Sequence, residues 1–208
     1  YYKMRKLSLV LFAMLLVAFN NIGFSQEFVP YKTNVIRYNG YSFPVYPKSS
    51  AWKDMTHSQR LESLQLPTDT LENISTSRLL ETCLYYPFNI NVFVNDNVID
   101  GFKKIKSQFN GYEELFGRND FASELINMYS SRDVDFIRQI SNDYDCGQYS
   151  FDFMIMELMI YDFLDSVSNI RLNQIANLVS EKKAQRESFK EFYSNNHIAE
   201  QIINKANQ

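Results

Sequence analysis

Histidine and cysteine, the side chains that most often hold transition metals, occur only twice each in 208 residues. His57 and His197 have no second ligand at helical or turn spacing, and neither H-E-x-x-H nor a cysteine–histidine cluster is present. A zinc-type centre is therefore not expected. Glycine is scarce too: six residues, none in a phosphate-cradling loop, a G-x-G-x-x-G fingerprint or a G-x-S-x-G elbow. Those absences remove the usual nucleotide-binding and serine-hydrolase signatures, and no cofactor is expected. With few glycines and prolines and 45% hydrophobic residues, the composition suits a packed globule and not a disordered chain. Basic residues (21) do not outnumber acidic ones (24), and they form no run. Phosphate backbones thus find no electrostatic handle, so nucleic acid is not an expected partner.

What is present begins with Leu7–Phe19, apolar apart from Ser8. Arg5 and Lys6 precede it, Asn20 and Asn21 follow, and Gly23-Phe24-Ser25 places small residues third and first before Gln26. Charge, apolar run and small-x-small is the layout of a signal peptide. Thirteen helical residues cover only about 20 Å, short of the ~30 Å of hydrocarbon that a membrane anchor must span. Residues 1–25 are read as a signal peptide cut after Ser25. The protein is then exported, periplasmic or extracellular, with no stable membrane anchor after cleavage. Losing Lys3, Arg5 and Lys6 with no acid would take the formal charge from −3 to −6.

Three regions follow: the signal peptide 1–25, an arm 26–50 and a helical domain 51–208. In the arm, Asn39-Gly40 separates two short β-prone runs, with Ile36, Tyr38, Tyr41 and Phe43 placed alternately. Asn-Gly favours a two-residue hairpin turn, whereas Pro44 limits the second run to an edge or a brief strand. The arm is expected as an extended segment or β-hairpin over 35–46. From Trp52 onward the punctuation is helical. Thr56 with Gln59 reads as a capping box, Pro67 as a first-turn residue, and Ser75 as the start of a helix striped by Leu79, Leu80, Cys83 and Leu84. A helix is expected over Asp96–Phe109, broken by Asn110-Gly111, and Asn119 is expected to cap the next. Residues 141–147 read as a loop.

"YSFDFMIMELMIYDFLD" (Tyr149–Asp165) is apolar almost all round, and its acids Asp152, Glu157 and Asp162 form no polar stripe. Such a helix is a central one, wrapped by others. After Ser168 or Asn169, Leu172, Ile175, Ala176 and Val179 mark a long helix whose second half, Ser180–Glu187, reads as solvated. The expected fold is all-α: an irregular multi-helix array around a central apolar helix (149–165).

Two thiols, Cys83 and Cys146, permit a disulfide in an oxidising compartment; Cys83 on its apolar stripe reads equally as a small buried hydrophobe. "DYDCGQY" (Asp143–Tyr149) fails as an EF-hand, because the sixth residue is Gln148 and the twelfth Met154. A looser oxygen cage of Asp143, Asp145 and Asp152 stays open. Asn73-Ile74-Ser75 is a formal glycosylation sequon at a helix boundary and reads structurally.

Trp52-Lys53, "ISTSRLLETCLYYPF" (Ile74–Phe88) and "GFKKIKSQFNGYEELFGRNDF" (Gly101–Phe121) resemble an uncharacterised group of exported, mostly helical proteins of Gram-negative bacteria. The resemblance covers residues 50–130. It implies export and helicity, and brings no activity or catalytic residue with it.

The expectation for function is a non-catalytic helical domain that makes protein or glycan contacts in the periplasm or outside the cell. Its candidate contact residues are the arm aromatics Tyr38, Tyr41, Phe43 and Tyr46 with Trp52, since rings offer large rigid area; otherwise these rings staple the arm to the helices. The alternative is a secreted carboxylate-dependent hydrolase of cell-wall or dietary polymers, with Glu157 and Asp162 in a cleft.

Overall fold

The computed structural model describes residues 38–47, 49–140, 143–193 and 197–207. The expected signal peptide and residues 26–37 of the arm lie outside the described residues. Among the described residues the α-helices are α1 (Ser50–Asp54), α2 (His57–Ser63), α3 (Thr68–Asn73), α4 (Thr76–Leu84), α5 (Val98–Lys106), α6 (Asn110–Gly117), α7 (Phe121–Ser131), α8 (Asp143–Phe163), α9 (Asn169–Arg186) and α10 (His197–Ala206). Short 3₁₀ segments occur at Asn89–Val94, Val134–Gln139, Leu164–Ser166 and Glu187–Phe189. No strand forms among the described residues, and the fold is all-α.

Local chemistry starts the helices. Thr56 and Gln59 form the reciprocal box, each side chain accepting the other's backbone N–H, and Ser49, Ser75, Asn97 and Ser168 each accept an N–H of the first turn. Such caps satisfy donors that have no partner within the helix. Asn119 does not act as a cap: α7 begins at Phe121, and the side chain of the preceding Asp120 accepts the Thr76 hydroxyl at 2.8 Å instead.

Helix α8 is the central rod. Every residue from Asp152 to Ile160 is buried, and α4, α7 and α10 pack against the helix. It starts earlier than its composition suggested. Residues 143–147 are helical and not a loop, because burial of Asp145, Cys146 and Tyr149 extends the rod toward the Val134–Gln139 segment. Cys146 Sγ lies 4.0 Å and 3.9 Å from the carbonyl oxygens of Ile137 and Ile140. Cys83 is fully buried on α4, and no disulfide joins the two thiols.

No hairpin forms in the described part of the arm. Instead of pairing with its own chain, the arm backbone bonds to side chains of α4. The Asn39 N–H donates to Glu81 Oε2 (2.7 Å), the Tyr41 N–H to Thr82 Oγ1 (2.8 Å), and Arg78 Nε donates to the Asn39 carbonyl (2.8 Å). Gly40 does not take the left-handed backbone that a hairpin turn needs; its missing Cβ makes room for the Tyr38 side chain, whose hydroxyl oxygen a Cβ would meet at 2.5 Å.

Asn110-Gly111 likewise opens α6 and does not separate two helices by a loop. The Asn110 side chain clamps Leu66, accepting its N–H (2.9 Å) and donating to its carbonyl (2.8 Å). Gln65 accepts the Asn110 N–H in return (3.0 Å), which ties the α2–α3 connection to the α5–α6 junction.

Candidate functional site

The arm aromatics are turned onto the body. Phe43 is buried against Tyr86 and Phe109, with ring centroids 6.3 Å and 6.1 Å away, and Tyr38 meets Tyr85 edge-on at 5.4 Å. Trp52 is buried beside Phe88 (5.4 Å), with the Arg60 guanidinium over its face. Tyr41 sits edge-on to Phe43 (5.3 Å), and Tyr46 is half-buried. Tyr38, Tyr41 and Phe43 thus staple the arm to Tyr85, Tyr86 and Phe109.

The two carboxylates of the hydrolase alternative face different neighbours. Glu157 is fully buried, its Oε1 accepting from Arg186 and from the Tyr129 hydroxyl (2.8 Å). Burial raises its carboxyl above the ordinary range, while Arg186 and Tyr129 pull it back down. Asp162, five residues along α8, pairs with Lys106 of α5. They do not converge on a cleft.

Sequence reading missed Arg186, which lies in the stretch assigned to solvent. Its guanidinium is 1% exposed and stands over Phe153 at 5.1 Å; Arg132 approaches the same ring at 5.6 Å and pairs with buried Asp152. Tyr129, Tyr149 and Tyr193 each meet Phe153 in a T-shaped arrangement at 5.6–5.8 Å. A carboxylate in the rod needs an interior counter-charge, and α9 supplies one. Lys182, one turn earlier, adds a bond to the Arg132 carbonyl (2.7 Å). This network holds α7, α8 and α9 in register and offers a substrate no approach to Glu157.

The described residues contain no cluster of three metal-ligating side chains. Asp152, one corner of the oxygen cage left open above, accepts from Arg132 and Gln148. His57 lies tilted against Phe88 at 5.4 Å, and His197 shares a 2.7 Å hydrogen bond with Gln201. Asn73 bonds to the Asp69 carbonyl and Ser75 caps α4, so the sequon serves the helix boundary.

The feature that stands out at the surface is the 3₁₀ turn Asn89–Val94. With three residues per turn, positions three apart share a face. Asn89 and Val92 point inward, at 2% and 0% exposure, which leaves Ile90, Phe93 and Val94 outward at 58%, 52% and 76%. The inward face is firmly pinned. Asn89 Nδ2 donates to the Cys83 and Leu84 carbonyls (2.8 and 2.9 Å), its Oδ1 accepts from Tyr112 (2.9 Å), and the Val92 carbonyl lies where a Cβ on Gly101 would be 2.2 Å away. Phe93 leans on half-buried Phe151 at 5.9 Å. Immediately after the turn a groove of about 590 Å³ is lined by residues 96–100 with His197 and Gln201. A signal was present in the sequence: "NINVFV" carries four apolar residues, more than an inward face of two can take.

Among the described residues no helix is long and apolar enough to cross a membrane. No family model matches the chain, and neither does any curated protein or solved structure.

Proposed function

We propose that this protein is an exported, non-catalytic helical domain that works by contacting another protein. The observation carrying the contact reading is the Asn89–Val94 turn: three large apolar side chains held outward by a buried, hydrogen-bonded inner face. Exposed apolar groups grouped in this way mark interaction surfaces, and a rigid scaffold lowers the entropy lost on binding. The contact surface is therefore this turn and not the aromatic arm. Export rests on the residue order from Arg5 to Ser25. A hydrolase built on Glu157 and Asp162 gains no support, since one is sealed and the other faces α5.

The test is a photo-crosslinking residue placed at Phe93 in the full chain, with another at exposed Ser130 on α7 as control. A discrete cross-linked protein from Phe93 and none from Ser130 supports the reading. Equal labelling from both positions, or none, overturns it. N-terminal sequencing of the secreted material is expected to begin at Gln26; a chain still beginning at Met4 removes export.

A further inference from the structure

The Asn89–Val94 turn runs straight into the groove, and the two surfaces differ in chemistry. The turn presents the apolar side chains of Ile90, Phe93 and Val94. The groove presents carboxylates, with Asp96 and Asp100 both exposed on its rim and Val98 and Ile99 half-buried in its wall. Helix α10 contributes His197 and Gln201, which bond to each other. Among the described residues, those lining the groove include no lysine or arginine.

A groove at a helix N-terminus would ordinarily suit an anion, because unsatisfied N–H groups and the helix dipole favour negative charge. Here that role is already filled. Asn97 Oδ1 accepts the Asp100 N–H (2.9 Å), Asn97 Nδ2 donates to Asp100 Oδ2 (2.6 Å), and the Asp100 carboxylate sits in the first turn of α5. What remains for a ligand is negative charge beside an apolar wall. Lys103 pairs with Asp100 at 3.7 Å with both side chains 60% exposed, a loose pair that an incoming cation can displace.

We propose that the turn and groove together dock a segment of a partner protein in which apolar side chains are followed by lysine or arginine. The apolar residues cover Ile90, Phe93 and Val94. The basic side chain then lays its methylenes along Val98 and Ile99 and delivers its charge to Asp96 and Asp100. Charge complementarity selects this occupant over an acidic or purely apolar one, and it steers the encounter at low salt. The inference rests on the contact-surface reading above and adds the class of partner.

The experiment uses fluorescein-labelled synthetic amphipathic peptides and the full chain, read by fluorescence anisotropy at low and high salt. One peptide has a leucine face followed by lysines, a second has glutamates in place of the lysines, and a third has serines in place of the leucines. The lysine peptide is expected to bind roughly tenfold tighter than the glutamate peptide at low salt, a difference that shrinks as salt rises. Asp96→Asn with Asp100→Asn is expected to erase that difference. Val94→Asp is expected to weaken the leucine peptides while leaving the thermal midpoint unchanged, since Val94 is 76% exposed.

If lysine and glutamate peptides bind equally, and both depend on Val94, the partner class is overturned while the turn keeps its role as a contact surface. Binding that ignores Val94→Asp, or no binding by any peptide, overturns the proposal. Sedimentation equilibrium adds a further arm: self-association lost in Val94→Asp gives the surface to a second copy of the chain and overturns the proposal too.

Discussion

Replacing Arg186 by methionine isolates the interior charge pair. Arg186 is 1% exposed and Glu157 0%, so the variant leaves a carboxylate in the core with only the Tyr129 hydroxyl to bond it. Removing one partner of a buried pair costs about 3–5 kcal/mol. For a chain of this size that lowers the melting midpoint by roughly 10 °C. The cost is expected to depend on pH, and the sign follows from linkage. Burial already raises the Glu157 carboxyl above its ordinary value, and Arg186 is the main group pulling it down. Without Arg186 it rises further. Below the unfolded-state value both states hold the proton and stability is full. Between the unfolded and the folded values the unfolded chain has released its proton while the folded chain keeps it, and stability falls by up to about 1.4 kcal/mol per pH unit until the folded value is passed. Wild type shows the same sign over a narrower window. Urea unfolding of wild type, Arg186→Met and the double variant Glu157→Leu/Arg186→Met, run from acid to neutral pH, reads this directly. The double variant is expected to lose the slope and recover most of the neutral-pH cost, because no carboxylate is left there without its counter-charge. If the single variant costs the same at every pH, or the double variant is no better than the single, the pair is not what holds α8 and α9 together.

Gly101→Ala is expected to destabilise by about 1–3 kcal/mol, since its Cβ would meet the Val92 carbonyl oxygen at 2.2 Å; thermal unfolding checks it. Gly147→Ala, in the first turns of α8 with open space around its Cβ, is expected to stabilise by roughly 0.5–1 kcal/mol in the same assay. Phe43→Ala is expected to cost about 3 kcal/mol by urea unfolding, because the ring is buried on Tyr86 and Phe109; a cost below about 0.5 kcal/mol would detach the arm from the core. Cys83 and Cys146 are both buried, and burial pushes the Cys83 thiol well up, so a thiol reagent is expected to label neither in the folded chain and both after unfolding.

Much of the helical frame was legible because its signals are local. The Thr56–Gln59 box, the Ser75 and Ser168 caps and the stripe Leu79, Leu80, Cys83 and Leu84 act within one or two turns, and each appears where its spacing placed it. Errors arose where a polar or turn-forming residue found a distant partner. Asn39-Gly40 carries a strong hairpin preference, yet Arg78, Glu81 and Thr82, about 40 positions on, take up the backbone groups that a second strand would have used. Asn110 bonds Leu66 across 44 positions and starts a helix where a break was expected. The contact surface was missed for a related reason. "NINVFV" has no helical period, and only the 3₁₀ geometry shows which of its residues the core leaves out.

Residue order by itself determined that the fold is helical and that the apolar stretch from Tyr149 supplies its central rod, although the helix ends at Phe163 and Asp165 is exposed, because hydrophobic periodicity and capping are read within a few residues of one another. Which charges go inside was decided by the tertiary structure alone. Arg186 sits among Ser180–Glu187 like any solvated basic residue, and nothing local distinguishes it. It is buried because Glu157, 29 positions earlier, is carried into the core by the hydrophobic rod around it and must be neutralised there.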